Sequence, residues 1–281
     1  MQREMLNKQA INRYMIDYLS YTILRGSGMS GKPSRIDQAY TALKSAIIEQ
    51  ALRPGDKLPE DEVGQLFSMS RTLVRQVFSR LNAEGLIEIG GKRPATVAIP
   101  SLDDAVAAFE VRQALEREVI TLVIKRWNPE HKAALEAHLA REIEAAKAGS
   151  APMSIRLAGE FHTLLAEMSG NPLLSRFVSD VVSRCSVVLA VYGRPHSADC
   201  GVHEHRDIID AIAAGDATSA WDLMRHHLGE VEARALIGSS EDSPRSLADM
   251  LSPYVEGGAG TKARPAKNRG RPRLQVVKEN R

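Results

Sequence analysis

The chain has 281 residues, which is enough for two domains with cores of their own. Its composition, with 43% hydrophobic and only 5% aromatic residues, is typical of an Ala/Leu-rich helical protein. No apolar run approaches the ~20 residues of a membrane span, and the N-terminus lacks the apolar segment of a signal peptide, which argues against a membrane or secreted protein. The two cysteines have no metal-ligand spacing, so we expect a reducing cytoplasm, and the net charge is only +2.

The first part of the chain carries few structural signals. Residues from Gly26 to Pro33 are rich in helix breakers, so we expect residues 1–34 to be a flexible N-terminal extension, with Met29 as an alternative start. Apolar residues then recur at helical spacing from Ile36 to Ile47, which predicts a first helix.

The stretch from Leu52 to Leu86 has the pattern of a helix-turn-helix. Apolar residues recur at helical spacing on both sides of a break at Ser68-Met69. Ser70 is suited to cap the second helix, because its hydroxyl can accept hydrogen bonds from the free amides of the first turn. Gly85 is suited to end it. The inward row of the second helix is expected to be Leu73, Val77 and Leu81.

Polar residues at the start of this second helix lie off its inward row. A recognition helix reaches into the DNA major groove from this place. Two short strand patterns follow, and the turn between them is basic, as in a DNA-binding wing. The residues expected to contact DNA are Arg71, Thr72, Arg75, Gly91, Lys92 and Arg93.

The residues from Ile36 to Ile99 resemble the winged helix of the GntR family of bacterial transcription regulators. The motifs that carry the resemblance are Leu52–Glu60 (LRPGDKLPE), Ser70-Arg71-Thr72, Val74-Arg75 and Leu81–Ile87 (LNAEGLI). The resemblance implies that the recognition helix contacts phosphates and bases and that the wing reaches the minor groove. One position departs from the family: Asp61 stands where members often carry a basic residue, which removes one expected DNA contact.

Helical patterns fill the chain from Asp103 to Ile237, and no strand pattern appears after Ile99, so we expect an all-helical bundle. Asn171 caps a helix whose first residue is Pro172. In that helix we expect Phe177, Val181 and Val188 to point inward. The predicted fold class is therefore mostly α: a winged helix of three helices and a two-stranded wing, followed by a helical bundle.

This helical region resembles the FCD effector domain of the FadR branch of the same family. The residues that carry the resemblance are Glu110–Glu116, Glu160-Phe161-His162, Ser169-Gly170-Asn171, Glu204-His205-Arg206 and His227-Leu228. It implies six or seven helices around a cavity, where three histidines and an Asp often hold a divalent metal that binds a metabolite carboxylate.

The expected histidine ligands are His162, His205 and His227, and imidazole suits Zn²⁺ or Ni²⁺. The carboxylate expected one helical turn before His162 is replaced by Ala158, so a site that lines the cavity without metal is the alternative. Arg112 can grip an effector carboxylate or instead pair with Glu116.

The end of the chain is strongly basic: the residues from Gly257 onward sum to +7, and the rest to −5. We expect disorder from residue 239 on. Arg269-Gly270-Arg271-Pro272 resembles an AT-hook, which would place Arg269 and Arg271 in an A·T minor groove. The alternative is a tail that binds DNA by charge alone.

Together with these patterns, the two resemblances imply a transcription regulator rather than an enzyme. The domains are expected at 1–34 (extension), 35–100 (DNA-binding), 101–238 (effector-binding) and 239–281 (tail). The partners expected are a double-stranded DNA operator, a small carboxylate effector and a second copy of the chain, and the expected action is repression. One alternative is a metal-dependent enzyme, but no inward carboxylate that could act as a general base is expected near His162. The other alternative is an architectural DNA-binding protein without an effector.

Overall fold

The computed structural model describes residues 33–91, 93–193, 198–235 and 246–255. Its N-terminal domain contains three helices and three short strands. The helices are α1 (Arg35–Ile48), α2 (Glu60–Leu66) and α3 (Arg71–Ala83), and the strands are β1 (Lys57–Leu58), β2 (Ile87–Glu88) and β3 (Ala95–Val97).

Local signals set the limits of α3 as the sequence predicts. The Ser70 hydroxyl accepts a hydrogen bond from the Leu73 amide at 3.4 Å. Gly85 follows the helix with φ +71°, and a Cβ there would collide with the Arg184 guanidinium. The buried residues of α3 are Val74, Val77, Phe78 and Leu81. Leu73 is only partly buried, because the inward face is centred on Val74 rather than one residue earlier.

The wing is part of a three-stranded antiparallel sheet with the order β1-β3-β2. Thr96 of β3 is paired with Lys57 on one side and with Glu88 on the other. The sequence predicts only the strands of the wing itself. The additional strand β1 has two residues, too few for an alternating pattern to be visible.

The second domain is a bundle of six helices in the described part of the chain. They are α4 (Leu102–Lys125), α5 (Pro129–Lys147), α6 (Ala151–Met168), α7 (Pro172–Tyr192), α8 (Ala198–Ala213) and α9 (Ala217–Ala235). Asn171 caps α7 by accepting from the Leu173 and Leu174 amides, as predicted. No helix in the described ranges is long and apolar enough to cross a membrane.

The predicted inward position of Phe177 is wrong. Its side chain is 48% exposed, and Leu173, one turn earlier, is also exposed. The buried stripe of α7 passes through Leu174, Val178 and Val181, and Phe177 lies one residue (about 100° of helix rotation) before it. Val181 and Val188 are buried as predicted.

The prediction of disorder from residue 239 on is wrong for the residues from Ser246 to Val255. Helix α10 (Leu247–Leu251) and a 3₁₀ turn (Ser252–Tyr254) return to the DNA-binding domain. Leu247, Met250 and Leu251 join its hydrophobic core. The reason is local: these apolar residues occur at helical spacing inside a polar stretch, which suffices to cover a core that already exists. Residues 1–32 and 256–281 lie outside the described part.

Polar contacts link the two domains. Glu49, directly after α1, forms an ion pair with the Arg156 Nε of α6 at 3.1 Å and accepts a hydrogen bond from the Tyr254 hydroxyl at 2.6 Å. The Arg184 guanidinium of α7 donates to the Ala83 carbonyl of α3 at 3.2 Å. Helices α6 and α7 of the bundle therefore rest directly on the DNA-binding domain.

Candidate functional site

The side chains predicted to read DNA lie on the open face of α3. Arg71, Thr72 and Arg75 are all exposed. Arg71 makes two hydrogen bonds to Asp61, at 2.5 and 2.8 Å, and the Arg75 Nε donates to Glu60 at 2.8 Å. Hydrogen bonding by these carboxylates raises the pKa of both arginines. Exposed ion pairs of this kind are weak because water screens them, so DNA phosphates can displace them.

Asp61, the position at which the sequence departs from the family pattern, pairs with Arg71 in the structure. At the position where the resemblance implies a basic side chain, this chain has Asp61, whose carboxylate holds the Arg71 guanidinium against α2. Asp61 is 58% exposed, and it orients the guanidinium without burying it.

The wing is exposed at Gly91 and Arg93. Gly91 has φ +36°, in the region that favours glycine, and the Arg93 amide donates to the Gly90 carbonyl at 2.6 Å, which closes the turn. Lys92 lies outside the described residues, as do Arg269 and Arg271 of the tail.

The three predicted histidine ligands meet inside the bundle. His162 (α6), His205 (α8) and His227 (α9) are all buried, and a ring nitrogen from each lies within 4.8 Å of the others. The two Nε2 atoms of His162 and His227 are 3.3 Å apart. His205 stacks on the Phe161 ring with a centroid distance of 3.8 Å. The resemblance to the FCD domain therefore identified three residues, from three helices, that lie close together.

A carboxylate contacts the other ring nitrogen of each histidine. The Nδ1 atom of His162 lies 2.6 Å from Glu116, that of His205 lies 2.8 Å from Glu142, and that of His227 lies 2.6 Å from Glu204. The expectation that no inward carboxylate lies near His162 is wrong. Glu116 is 46 residues away in sequence and reaches it because α4 packs beside α6.

Burial and neighbouring polar groups set the protonation of His162, His227 and Glu116. Loss of hydration lowers the pKa of His162 to about 3 and that of His227 to about 4, so both rings are neutral near pH 7. Burial alone would raise the pKa of Glu116, but His162 and Arg112 outweigh it and lower the value to about 2. Glu116 is therefore an anion that accepts the Nδ1–H of a neutral imidazole.

The residues present fit a divalent cation. With Nδ1 carrying the proton, the Nε2 lone pairs of His162 and His227 face each other at 3.3 Å, which is repulsive unless a cation lies between them. The buried Nε2 of His205 has no hydrogen-bond partner. Neutral imidazoles that present lone pairs are the donor set that Zn²⁺ and Ni²⁺ prefer.

No acidic residue replaces the missing ligand from the same helix. Ala158 is exposed, and Glu160 points away from the histidines to Arg156 and Arg141, at 3.3 and 3.0 Å. Arg112 is buried, and its Nε donates to Glu116 at 2.6 Å. The intrahelical pair, one of the two alternatives for Arg112, is thus present, and its contact with an effector stays a prediction.

Comparisons with known proteins agree with both resemblances. Residues 35–97 match the family described as bacterial regulatory proteins, gntR family, and residues 107–230 match the FCD domain. An uncharacterized HTH-type transcriptional regulator, YdhC, of Bacillus subtilis is 27% identical over 194 residues, covering 68% of this chain and 86% of its own. The HTH-type transcriptional repressor NanR of Enterobacter sp. is 25% identical over 224 residues, covering 70% and 84%.

Two solved structures share the fold. McbR/YncC of E. coli superposes with a TM-score of 0.66 at 20% identity and covers 73% of this chain and 98% of its own. A putative GntR transcriptional regulator of Rhodococcus sp. RHA1 gives 0.63 at 22% identity, covering 72% and 98%.

Proposed function

Because this chain is a transcription regulator of the gntR family that carries an FCD effector-binding domain, we propose that it is a homodimeric repressor controlled by a small carboxylate metabolite. The observation that carries the proposal is the meeting of His162, His205 and His227 in the bundle, apart from the exposed arginines of α3. The chain thus has one site for a ligand and another for DNA. We place it in the bacterial cytoplasm, on the nucleoid.

The effector site is proposed to hold Zn²⁺ or a similar ion through the Nε2 atoms of the three histidines. When bound, the ion supplies a positive centre with open positions for a carboxylate oxygen. We assign Arg112 as a further contact for the anionic effector, because a guanidinium can bind a carboxylate while its Nε remains on Glu116.

For the DNA site, we propose that α3 enters the major groove with Arg71, Thr72 and Arg75. Gly91, Lys92 and Arg93 of the wing would lie along the adjacent minor groove. Two copies of the chain would present two recognition helices to a palindromic operator, as dimeric helix-turn-helix proteins do. Residues 35–100 are the DNA-binding domain and 101–238 the effector-binding domain in this proposal.

Helix α6 offers a physical route between the two sites. It carries His162 of the effector site, and nearer its start it carries Arg156, which is paired with Glu49 of the DNA-binding domain at 3.1 Å. A shift of α6 on effector binding would therefore move the contact on which α1 rests. A difference of ~1–3 kcal/mol between the two states is typical of such coupling.

The proposed function is tested by operator binding with and without candidate effectors. Fluorescence anisotropy would measure the Kd for the DNA upstream of the coding sequence, with Zn²⁺ present and with small mono- and dicarboxylic acids added in turn. We expect one class of acid to weaken binding roughly 5- to 150-fold. DNA binding that no acid changes would support an architectural protein instead.

The tail gives a separate prediction. We propose that Arg269 and Arg271 bind an A·T minor groove, so deletion of residues 257–281 should weaken binding to operators with A·T-rich flanks more than to those with G·C-rich flanks. The measurement is the ratio of Kd values for the two DNAs, before and after deletion. A tail in which both arginines are replaced by lysine keeps the charge and serves as control. Equal losses on both DNAs would mean that charge alone acts.

A further inference from the structure

The three carboxylates beside the histidines have no assigned role in the proposed function. We propose that Glu116, Glu142 and Glu204 are positioning residues, which fix the three imidazoles as Nε2 donors and supply the negative charge that the coordination sphere lacks. This inference rests on the proposed metal site and deepens it.

The three carboxylates lie on different helices of the bundle, yet each makes the same kind of contact with a histidine. Glu116 lies on α4, Glu142 on α5 and Glu204 on α8, and each contacts the Nδ1 of a different histidine at 2.6–2.8 Å. All three rings are thereby turned the same way, with Nε2 toward the centre. One such pair is a common feature of a protein core, whereas three that converge on one point define a site.

The chemistry of the pairs determines the tautomer. An ionised carboxylate can only accept, so the ring nitrogen that it contacts has to carry the proton. A histidine that donates from one nitrogen to a carboxylate is a better metal ligand through the other, because its basicity rises and its orientation is fixed. Removal of such partners typically weakens metal binding 10- to 100-fold.

The charges explain how the site can function without the carboxylate that Ala158 replaces. Three neutral imidazoles leave a dication uncompensated in a buried position. Each carboxylate lies across an imidazole ring from the centre, and Glu142 also lies 3.0 Å from the Nε2 of His138. The Arg112 guanidinium offsets part of the charge of Glu116, and the carboxylates together still provide anionic partners for a buried dication.

Glu204 is the position at which this can be tested without disturbing the core, because its side chain is 24% exposed. Glu204→Gln keeps an oxygen that accepts the Nδ1–H of His227 and removes the charge, whereas Glu204→Ala removes both. Glu230→Gln, at an exposed position on α9 three residues after His227, makes the same change of net charge at the protein surface.

Two measurements are made on the full chain purified without a His tag. Zn²⁺ titration of the metal-free protein against a chromophoric chelator gives the Kd, and imidazole ¹⁵N NMR shifts report which nitrogen of His227 is protonated. We expect Glu204→Gln to weaken Zn²⁺ binding about tenfold and to keep Nδ1–H, and Glu204→Ala to weaken it nearer a hundredfold and to lose Nδ1–H. Glu230→Gln should match the wild type.

The outcomes separate this inference from the metal site itself. If the wild type binds Zn²⁺ and Glu204→Ala binds it within twofold, the inference is overturned and the metal site stands. If the wild type binds no Zn²⁺, the metal site fails, and the tautomer decides the positioning role. Nδ1–H in the wild type and its loss in Glu204→Ala would support that role, and Nε2–H in the wild type would overturn it.

Discussion

Replacing Arg75 by alanine is expected to weaken operator binding by ~1–3 kcal/mol, roughly 5- to 150-fold in Kd, without unfolding the DNA-binding domain. The side chain is 68% exposed, and its Nε donates a hydrogen bond to Glu60, whose side chain is 31% exposed, so removal of the arginine leaves no buried group unpaired. The loss on DNA is large because a guanidinium that reaches a guanine edge makes two hydrogen bonds at once.

The salt dependence of operator binding distinguishes whether Arg75 contacts a base or a phosphate. A base contact, once lost, should relax the preference for one base pair and leave the salt slope nearly unchanged, whereas a lost phosphate contact lowers that slope by about one. Kd values by anisotropy at several salt concentrations, on the operator and on single-base variants of it, separate the two cases.

Matched variants complete this test. Arg225→Ala changes the net charge equally at an exposed, ion-paired position on α9 and should leave DNA binding unchanged. Glu60→Gln releases Arg75 from its pair and should leave binding equal or slightly tighter. An Arg75→Ala protein that binds the operator as tightly as the wild type would remove α3 from the DNA interface.

Replacing His205 by alanine is expected to abolish metal binding. Its Nε2 is buried and has no hydrogen-bond partner, so an ion would satisfy it. Metal analysis of untagged protein should find close to one divalent ion per chain in the wild type and none in the variant. Excess Zn²⁺ should also stabilise the wild type alone, by about 2.7 kcal/mol at a hundred times its Kd.

Because His205 stacks on Phe161, its removal leaves a cavity that can reduce stability by itself. His227→Gln keeps a polar side chain at a second ligand position and should lose the metal as well. His226→Ala removes an exposed histidine next to it and should keep the metal. Negligible metal in the wild type and in all variants would exclude a metal from the proposed function.

The DNA-binding domain could be predicted because its signals are local. The cap at Ser70, the glycine at 85 and the apolar spacing between them lie within one short stretch, and each acts on its own neighbours in the helix. Backbone geometry at such positions follows from residue type alone. The exposed arginines followed from the same pattern, since they lie off the inward row.

The three histidines could be predicted from the sequence, but the carboxylates that contact them could not. Their positions match a known spaced motif, whereas Glu116 and Glu142 are 46 and 63 residues from the histidines that they contact. Which of many glutamates on amphipathic helices turns inward depends on how the helices pack. Phe177 shows the same limit, because a rotation of one residue exchanges an inward for an outward position.

Helix α10 and the turn after it attach the chain that leads into the C-terminal tail to the DNA-binding domain. Val255 packs against the core of the DNA-binding domain, so the residues after it are joined to that domain rather than to the helical bundle. Tethering replaces the concentration of free tail by a local one, which for short connections is of millimolar order. If the tail binds DNA as proposed, contacts too weak to hold it on DNA from solution would then slow the dissociation of the whole protein.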